Sequence, residues 1–440
     1  MKIAIAGYGL EGASNYRYYV DKGDVTIVDE RDDIRDLPAG TPTILGPNAF
    51  SKLADFDMVV RSAGVPPHKI TTSGTIWSAT NEFFAQCRTD IIGVTGTKGK
   101  GTTASLIYSI LQAAGKKVVL LGNIGVPALD MLDEAQHADI VIYELSSYQL
   151  WDVQKSPQVA VVLMIEADHL DVHADMDEYV NAKANIRRYQ GQDGMCFYHP
   201  TNPYSRTIAQ TDAWAEDAYE HAAFLENAHP YNDQSDRMSV YVKNDSFYIR
   251  EERICSTDAL QLPGAHNIEN ACAAISAARL YTVNNEAVRR GLEVFTGLDH
   301  RLKLVRTVGG KRFYDDSIAT TPGSAIAAMK AFVQPKVIIL GGSSKGAEFD
   351  KLAQTAVQSQ VRCAVVIGEE AEQIEACLRS YGVVAINMGT DVSMMDIVVA
   401  ADRLSRDGDV VIMSPACASF DMFKNYSDRG EQFVTAVNNL

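Results

Sequence analysis

The chain has 440 residues, enough for roughly two to four domains that each bury a core. Forty Lys and Arg against 56 Asp and Glu leave a net charge of −16, which opposes binding to nucleic acid or to an anionic membrane through a general positive field. At 46% hydrophobic and 22% charged residues, disordered and collagen-like classes are excluded.

The N-terminus, Met1-Lys2-Ile3-Ala4-Ile5-Ala6-Gly7, runs straight into a glycine turn and lacks the pattern of a signal peptide. No apolar run reaches the roughly 18 residues of a membrane span. The seven cysteines form no C-x-x-C pair, which suits free thiols in a reducing compartment, and the expected location is cytoplasmic. Short β-branched runs then alternate with helical patterns in three blocks, the signature of an α/β fold with parallel sheets. The first block predicts strands at Lys2–Ala6, Val25–Val28, Thr43–Leu45 and Met58–Val60. The second predicts Ile91–Thr95, Lys117–Leu121, Ile140–Tyr143 and Val159–Leu163, and the third Val337–Leu340, Ala364–Ile367, Val383–Asn387 and Val410–Met413. Boundaries near Gln86–Asp90 and Thr296–His300 give domains 1–89, 90–296 and 297–440. Residues from about Gly191 to Pro263 are more polar, and a hairpin around Asn244-Asp245 predicts an antiparallel appendage there.

Within the first block, Gly7-Tyr8-Gly9-Leu10-Glu11-Gly12 follows a strand, and Asp29 closes the next strand. Glycines let a backbone approach a pyrophosphate at a helix N-terminus, and the acid can accept a ribose hydroxyl. A dinucleotide, a UDP-sugar and a plain tight turn all fit this pattern. In the second block, Ile91–Thr95 feeds Gly96-Thr97-Lys98-Gly99-Lys100-Gly101-Thr102-Thr103 and then a helical stretch. A strand, a glycine loop with a lysine and a helix start make a cradle of N–H donors for a triphosphate. The pattern G-x-x-x-x-G-K-[ST] is not met, because Val94 and Gly101 stand at its ends.

Glu144 and His169 each follow an apolar run in the same block, where magnesium ligands facing a phosphate loop are expected; taken singly each reads as an ordinary turn residue, and together with the loop in one block they read as metal ligands. Asn267 and Asn270, three apart at a helix start, can read an adenine edge or cap the helix. Asp299-His300-Arg301, Asp315-Asp316-Ser317, Gly341–Gly346 and Ser414–Ser419 follow strands, which favours ligand contact over plain loops.

In their order and combination, the Thr95–Thr103 loop, Gly264–Asn270, Asp316-Ser317 and Ser414–Ser419 resemble the ATP-dependent Mur ligases of peptidoglycan synthesis, over nearly the whole chain. The resemblance implies three domains: a Rossmann-like N-terminal domain for the UDP-substrate, a central P-loop ATPase domain with a mostly parallel sheet, and a Rossmann-like C-terminal domain for the amino acid. It implies an ADP-forming ligase, acting as a monomer with ATP and Mg²⁺, that joins glutamate to UDP-N-acetylmuramoyl-L-alanine through an acyl phosphate. By the same resemblance Gly9, Leu10, Glu11, Asp29, Glu30 and Asn123 contact the UDP-substrate. Gly96, Thr97, Lys98, Gly99, Lys100, Gly101, Thr102, Asn267, Asn270, Arg301 and Asp316 contact ATP. Glu144, His169, Thr102 and Lys183, the last as a carbamate, hold magnesium, and Thr320, Lys345, Ser419 and Tyr426 contact glutamate.

Three positions depart from the family pattern: Gly101 after the loop lysine, Ile318 where a lysine is usual, and Tyr426 where phenylalanine is commoner. The expected acceptor is D-glutamate. Thr320-Thr321-Pro322 is also compatible with an L-glutamate ligase, and Gly101 with Ile318 also suit a nucleotide-sensing homologue. A dehydrogenase built on Gly7–Gly12 would leave Thr95–Thr103 without a role.

Overall fold

The computed structural model describes residues 1–34, 36–122, 126–170, 172–212, 224–343 and 347–440. It is an α/β fold dominated by parallel strands. By contact density the chain divides into two compact units, Met1–Leu260 with His266–Phe295, and Gln261–Ala265 with Thr296–Leu440.

The first unit carries two parallel sheets. One is ordered Thr43–Leu45, Asp24–Asp29, Lys2–Ala6, Met58–Arg61, Thr75–Ser78; the other Ala228–Pro230, Met195–Tyr198, Val159–Val162, Ile91–Thr95, Ile140–Glu144, Val118–Gly122. Strands buried on both faces read as continuous apolar runs, which is why Ile91–Thr95 and Ile140–Glu144, buried throughout, were legible. A separate antiparallel sheet comprises Val240–Lys243, Ser246–Ile249 and Glu252–Ser256. Asn244 and Asp245 turn its hairpin with φ of 47° and 51°, the left-handed pair that a two-residue turn requires.

This corrects the expected appendage over Gly191–Pro263. Only its later part is antiparallel, because Met195–Tyr198 and Ala228–Pro230 extend the parallel sheet. Strands of four and three residues at a sheet margin are too short to stand out against polar flanks.

The second unit has one six-stranded sheet, ordered Lys303–Val308, Lys311–Asp315, Val410–Met413, Lys336–Gly341, Val361–Ile367, Ala385–Gly389. Its first pair is antiparallel and the rest are parallel, so the sheet is mixed rather than wholly parallel. Charged residues interrupt both strands of that hairpin, which hid it from the apolar pattern. The returning strand Val410–Met413 lies between Lys311–Asp315 and Lys336–Gly341, which opens a crevice at their C-terminal ends.

Candidate functional site

Thr95 ends its strand with its hydroxyl on the Leu145 carbonyl at 2.8 Å, lacing the glycine loop to the strand end that carries Glu144. Thr97 is held from three sides: its N–H donates to Met164 O at 2.9 Å, and its hydroxyl lies 3.1 Å from both Glu166 O and the Tyr179 hydroxyl. Gly99 then takes φ +84° and caps the helix Lys100–Ala113. A side chain there would be strained by that φ, and its Cβ would lie 2.5 Å from Asn270 Oδ1.

Two amines meet on this loop. Lys100 Nζ donates to Gly96 O at 3.2 Å and Thr97 O at 3.1 Å, while Lys183 Nζ donates to the same Gly96 O at 3.0 Å and to Thr95 Oγ1 at 3.4 Å. Lys183 is only 1% exposed and sits over the Tyr179 ring. Burial, reinforced by the Lys100 charge, drives its amine well below the ordinary lysine range, against the opposing pull of Asp168 and Glu144. Glu144 and Thr102 are buried nearby on the same block. His169 has left-handed backbone, φ +56°, a half-exposed ring 5.0 Å from the Tyr148 ring, and Asp168 Oδ2 3.6 Å from its Nε2.

Among the described residues no three His, Cys, Asp or Glu side chains cluster as a ready-made metal site. The donors offered are the Glu144 carboxylate and the Thr102 hydroxyl, with His169 at the rim. Hard oxygens of that kind suit magnesium. Lys183 as a free amine does not fit, since it offers no anionic oxygen; as a carbamate it would.

Asn267 and Asn270 come together on one face of the helix Ala265–Ala278, Asn270 Nδ2 donating to Asn267 Oδ1 at 3.2 Å, and both are buried. The Asn270 amide rests against Gly99, so the asparagine pair and the glycine loop form one surface. This contact accounts for the glycine at 99.

At the other glycine turn, a Cβ on Gly12 would lie 2.1 Å from Gly7 O, so the strand and helix can meet only without a side chain. Leu10 is exposed and Gly9 faces open space. Glu11 accepts from Ala63 N at 2.6 Å, and burial raises its carboxyl above the usual range. Asp29 Oδ2 accepts from Tyr8 N at 2.7 Å, and its two oxygens accept from Arg31 Nε and Nη2 at 3.1 and 3.0 Å. Burial works to raise the Asp29 carboxyl, but these hydrogen bonds outweigh it and hold it low. Both oxygens therefore already have protein donors. Glu30 is paired with Lys69 at 3.1 Å.

The loop Ser62-Ala63-Gly64-Val65-Pro66 also packs on this turn, with Ser62 Oγ donating to Gly7 O at 2.7 Å. Sequence reasoning passed over that loop and Arg31, although glycine and proline directly after a strand were a usable signal. Arg61, wholly buried, donates to Asp152 through Nε and Nη2 at 2.9 and 2.8 Å and to Tyr148 O at 2.9 Å, joining this loop to the residues after Glu144.

In the second unit, Asp316 is buried and accepts from Ser414 Oγ at 2.6 Å and Leu302 N at 3.1 Å. Burial pushes its carboxyl up to about 7, with the two hydrogen bonds opposing. Arg301 is exposed one residue away from Leu302. Thr320, Thr321 and Pro322 line a small cleft with Ser343, Glu370 and Cys417, drawn from loops after four different strands. Ser419 is buried beside this crevice, whereas Tyr426 is 41% exposed and its ring lies outside the cleft lining. Asn123 and Lys345 lie outside the described residues.

Comparison with known proteins places these features in context. Residues 94–278 match the Mur ligase middle domain and residues 300–417 the Mur ligase glutamate ligase domain. UDP-N-acetylmuramoylalanine–D-glutamate ligases of Acetivibrio thermocellus and Symbiobacterium thermophilum are each 35% identical to this chain across its whole length, covering 96% and 98% of their own. Among solved structures, the UDP-N-acetylmuramate-alanine ligase of Thermotoga maritima aligns over 100% of this chain and 99% of its own, with a TM-score of 0.60 at 17% identity. The ADP complex of Mycobacterium tuberculosis folylpolyglutamate synthase aligns over 81% and 93%, with a TM-score of 0.58 at 14% identity. At those identities the structural likeness speaks for the fold alone.

Proposed function

The chain belongs to the Mur ligase family, and on that footing we propose that it is the ADP-forming ligase joining D-glutamate to UDP-N-acetylmuramoyl-L-alanine in peptidoglycan precursor synthesis. The observation that carries the reading is the full-length similarity, at 35% identity, to relatives named for that reaction. The glycine loop with two lysine amines on one carbonyl adds the chemistry.

The proposed reaction starts with attack of the substrate carboxylate on the γ-phosphorus of ATP, releasing ADP and leaving an acyl phosphate. The glutamate amine then attacks the acyl carbon, forms the C–N bond and expels phosphate. Such chemistry needs positioning and charge neutralisation rather than a protein nucleophile. In this reading Lys100 leaves its loop carbonyls to meet the β- and γ-phosphates, Gly96–Thr102 wrap them, and Asn267, Asn270, Arg301 and Asp316 hold the rest of the nucleotide. Gly9, Leu10, Glu11, Asp29, Glu30 and Asn123 serve the UDP-substrate, and Thr320, Lys345, Ser419 and Tyr426 the glutamate.

Magnesium would be held by Glu144, His169, Thr102 and a carbamate on Lys183, and when bound it neutralises phosphate charge. Carbamylation needs a neutral amine, and the depressed basicity of buried Lys183 favours that form. We assign three domains, 1–89, 90–296 and 297–440, Rossmann-like at both ends with a P-loop ATPase between them, in a cytoplasmic monomer. Among the described residues no helix is long and apolar enough to cross a membrane.

L-glutamate is the second reading, favoured by Ile318 and by Thr320-Thr321-Pro322, which line the cleft of the second unit. Purified protein supplied with UDP-N-acetylmuramoyl-L-alanine, ATP, Mg²⁺ and either enantiomer should release phosphate with D-glutamate. Release with L-glutamate alone selects the second reading, and release with neither refutes the ligase assignment.

A further inference from the structure

Three groups in the second unit stand in line. Asp315, 1% exposed, lies 2.7 Å from His300 Nδ1 through Oδ2, and His300 Nε2 lies 3.2 Å from Ser427 Oγ. Ser427 is in the first turn of the helix Tyr426–Asn438, and the edge of the His300 ring also meets the Tyr426 ring, centroids 6.3 Å apart. His300 and Leu302, the neighbours of Arg301, both have left-handed backbone, φ 61° and 42°. Non-glycine residues keep such angles only where their surroundings over-determine them. Among the described residues the His300 ring has these two hydrogen bonds, one from its own loop's side of the sheet and one from the helix.

We propose that Ser427 is a positioning residue for the ligation: through His300 it fixes the Arg301 loop and the Tyr426 end of the helix in one arrangement. The inference rests on the reading above, which gives Arg301 to the nucleotide and Tyr426 to the acceptor. With Nδ1–H directed at Asp315, Nε2 accepts from the Ser427 hydroxyl when the ring is neutral; when the ring is protonated it donates to that hydroxyl, which then turns its proton to Glu431 Oε1, 3.5 Å away. A hydroxyl serves both states, so threonine can replace serine and alanine cannot. The same geometry supplies a second perturbation, because a Cβ on Gly430 would lie 2.0 Å from His300 Nδ1, so the ring or the helix must shift while the Ser427 hydroxyl itself is kept.

Steady-state kinetics of the full chain test this. Ser427→Ala should raise KM for glutamate about tenfold, the loss of one hydrogen bond at 1.4 kcal/mol per decade, with kcat changed less than about twofold. Ser427→Thr should return KM to within about threefold of the parent, and Gly430→Ala should reproduce the Ser427→Ala shift. A Ser427→Ala protein with unchanged KM, or a Ser427→Thr protein as impaired as the alanine variant, overturns the proposal. A parent protein that releases no phosphate with glutamate would instead overturn the ligase reading on which it rests.

Discussion

Replacing Lys183 by methionine should stabilise the protein while abolishing its turnover. The ammonium is buried to 1% exposure, donates at 3.0 Å to Gly96 O, and shares that carbonyl with Lys100 at 3.2 Å. Methionine of similar length loses one charge-assisted hydrogen bond, worth about 1.5–3 kcal/mol, but Gly96 O keeps the Lys100 donor and is not orphaned. Against that stands the desolvation of a buried cation, several kcal/mol, and its repulsion from Lys100, offset in part by the pull of Asp168 and Glu144. The net expectation is a gain of about 1–3 kcal/mol at pH 7, read as an upward shift of the urea midpoint at unchanged slope.

The pH dependence of that gain follows from the depressed folded-state basicity of Lys183. Below its folded pKa both states bind the proton and the penalty is full. Between the folded value and the ordinary lysine value the unfolded chain binds more protons, so the parent gains stability as pH rises and the difference from Lys183→Met shrinks. Urea titrations at pH 7 and pH 10 in carbon-dioxide-free buffer measure this. A methionine variant less stable than the parent at pH 7, or a difference that grows with pH, would refute the placement of a destabilised amine at this position. Turnover of Lys183→Ala should be absent and partly restored by a short carboxylic acid, which can supply the oxygen that a carbamate would.

Lys100→Ala should lower turnover by at least about 100-fold, from loss of roughly 3 kcal/mol of charge stabilisation, and near-normal phosphate release would remove the loop lysine from the chemistry. Gly99→Ala should cost about 1–2 kcal/mol through its φ of +84° and raise KM for ATP by crowding Asn270; adding Asn270→Ala should relieve the crowding component alone, as a double-mutant cycle measures. For Asp316, whose carboxyl burial lifts to about 7, the folded state holds the extra proton between about pH 4 and pH 7. The parent should therefore lose stability as pH rises through that window, by up to about 4 kcal/mol, and Asp316→Asn should not. Parallel stability curves for the two proteins from pH 5 to pH 8 would contradict this.

The strand–turn–helix geometry of the glycine loops was legible because it is local: a strand, a turn that needs small residues and a helix start lie within about a dozen positions. Asn267 and Asn270 could be placed on one helix face by spacing, but their contact with Gly99 joins residues 171 positions apart (270 − 99), which no local pattern carries. Asp29 shows a different limit. Its position at a strand end was readable, yet the Arg31 and Tyr8 donors that occupy its oxygens depend on how the turn folds back. The polar hairpin Lys303–Val308 with Lys311–Asp315 was missed for a third reason: charged residues interrupt both strands, and Lys303–Val308, at the sheet edge, alternates rather than forming a continuous apolar run.

Charge was the least legible property of all. A net of −16 argues that three anionic ligands must be met by local donors, and the sequence invites every lysine and arginine into that role. Yet Arg61, Arg187, Lys336 and Arg429 are wholly buried and spend their donors largely on main-chain carbonyls. Arg429 alone reaches Ser317 O at 2.8 Å and Cys417 O at 3.2 Å, and burial lowers its guanidinium to about 10. Removing such a cation leaves several carbonyls without partners, so its loss reads as misfolding rather than weakened binding. The cations we propose for the ligand are of another kind: Lys100, whose amine rests on loop carbonyls, and exposed Arg301. An acidic surface sharpens this division, since neither of the two has to compete with a general positive field for its anion.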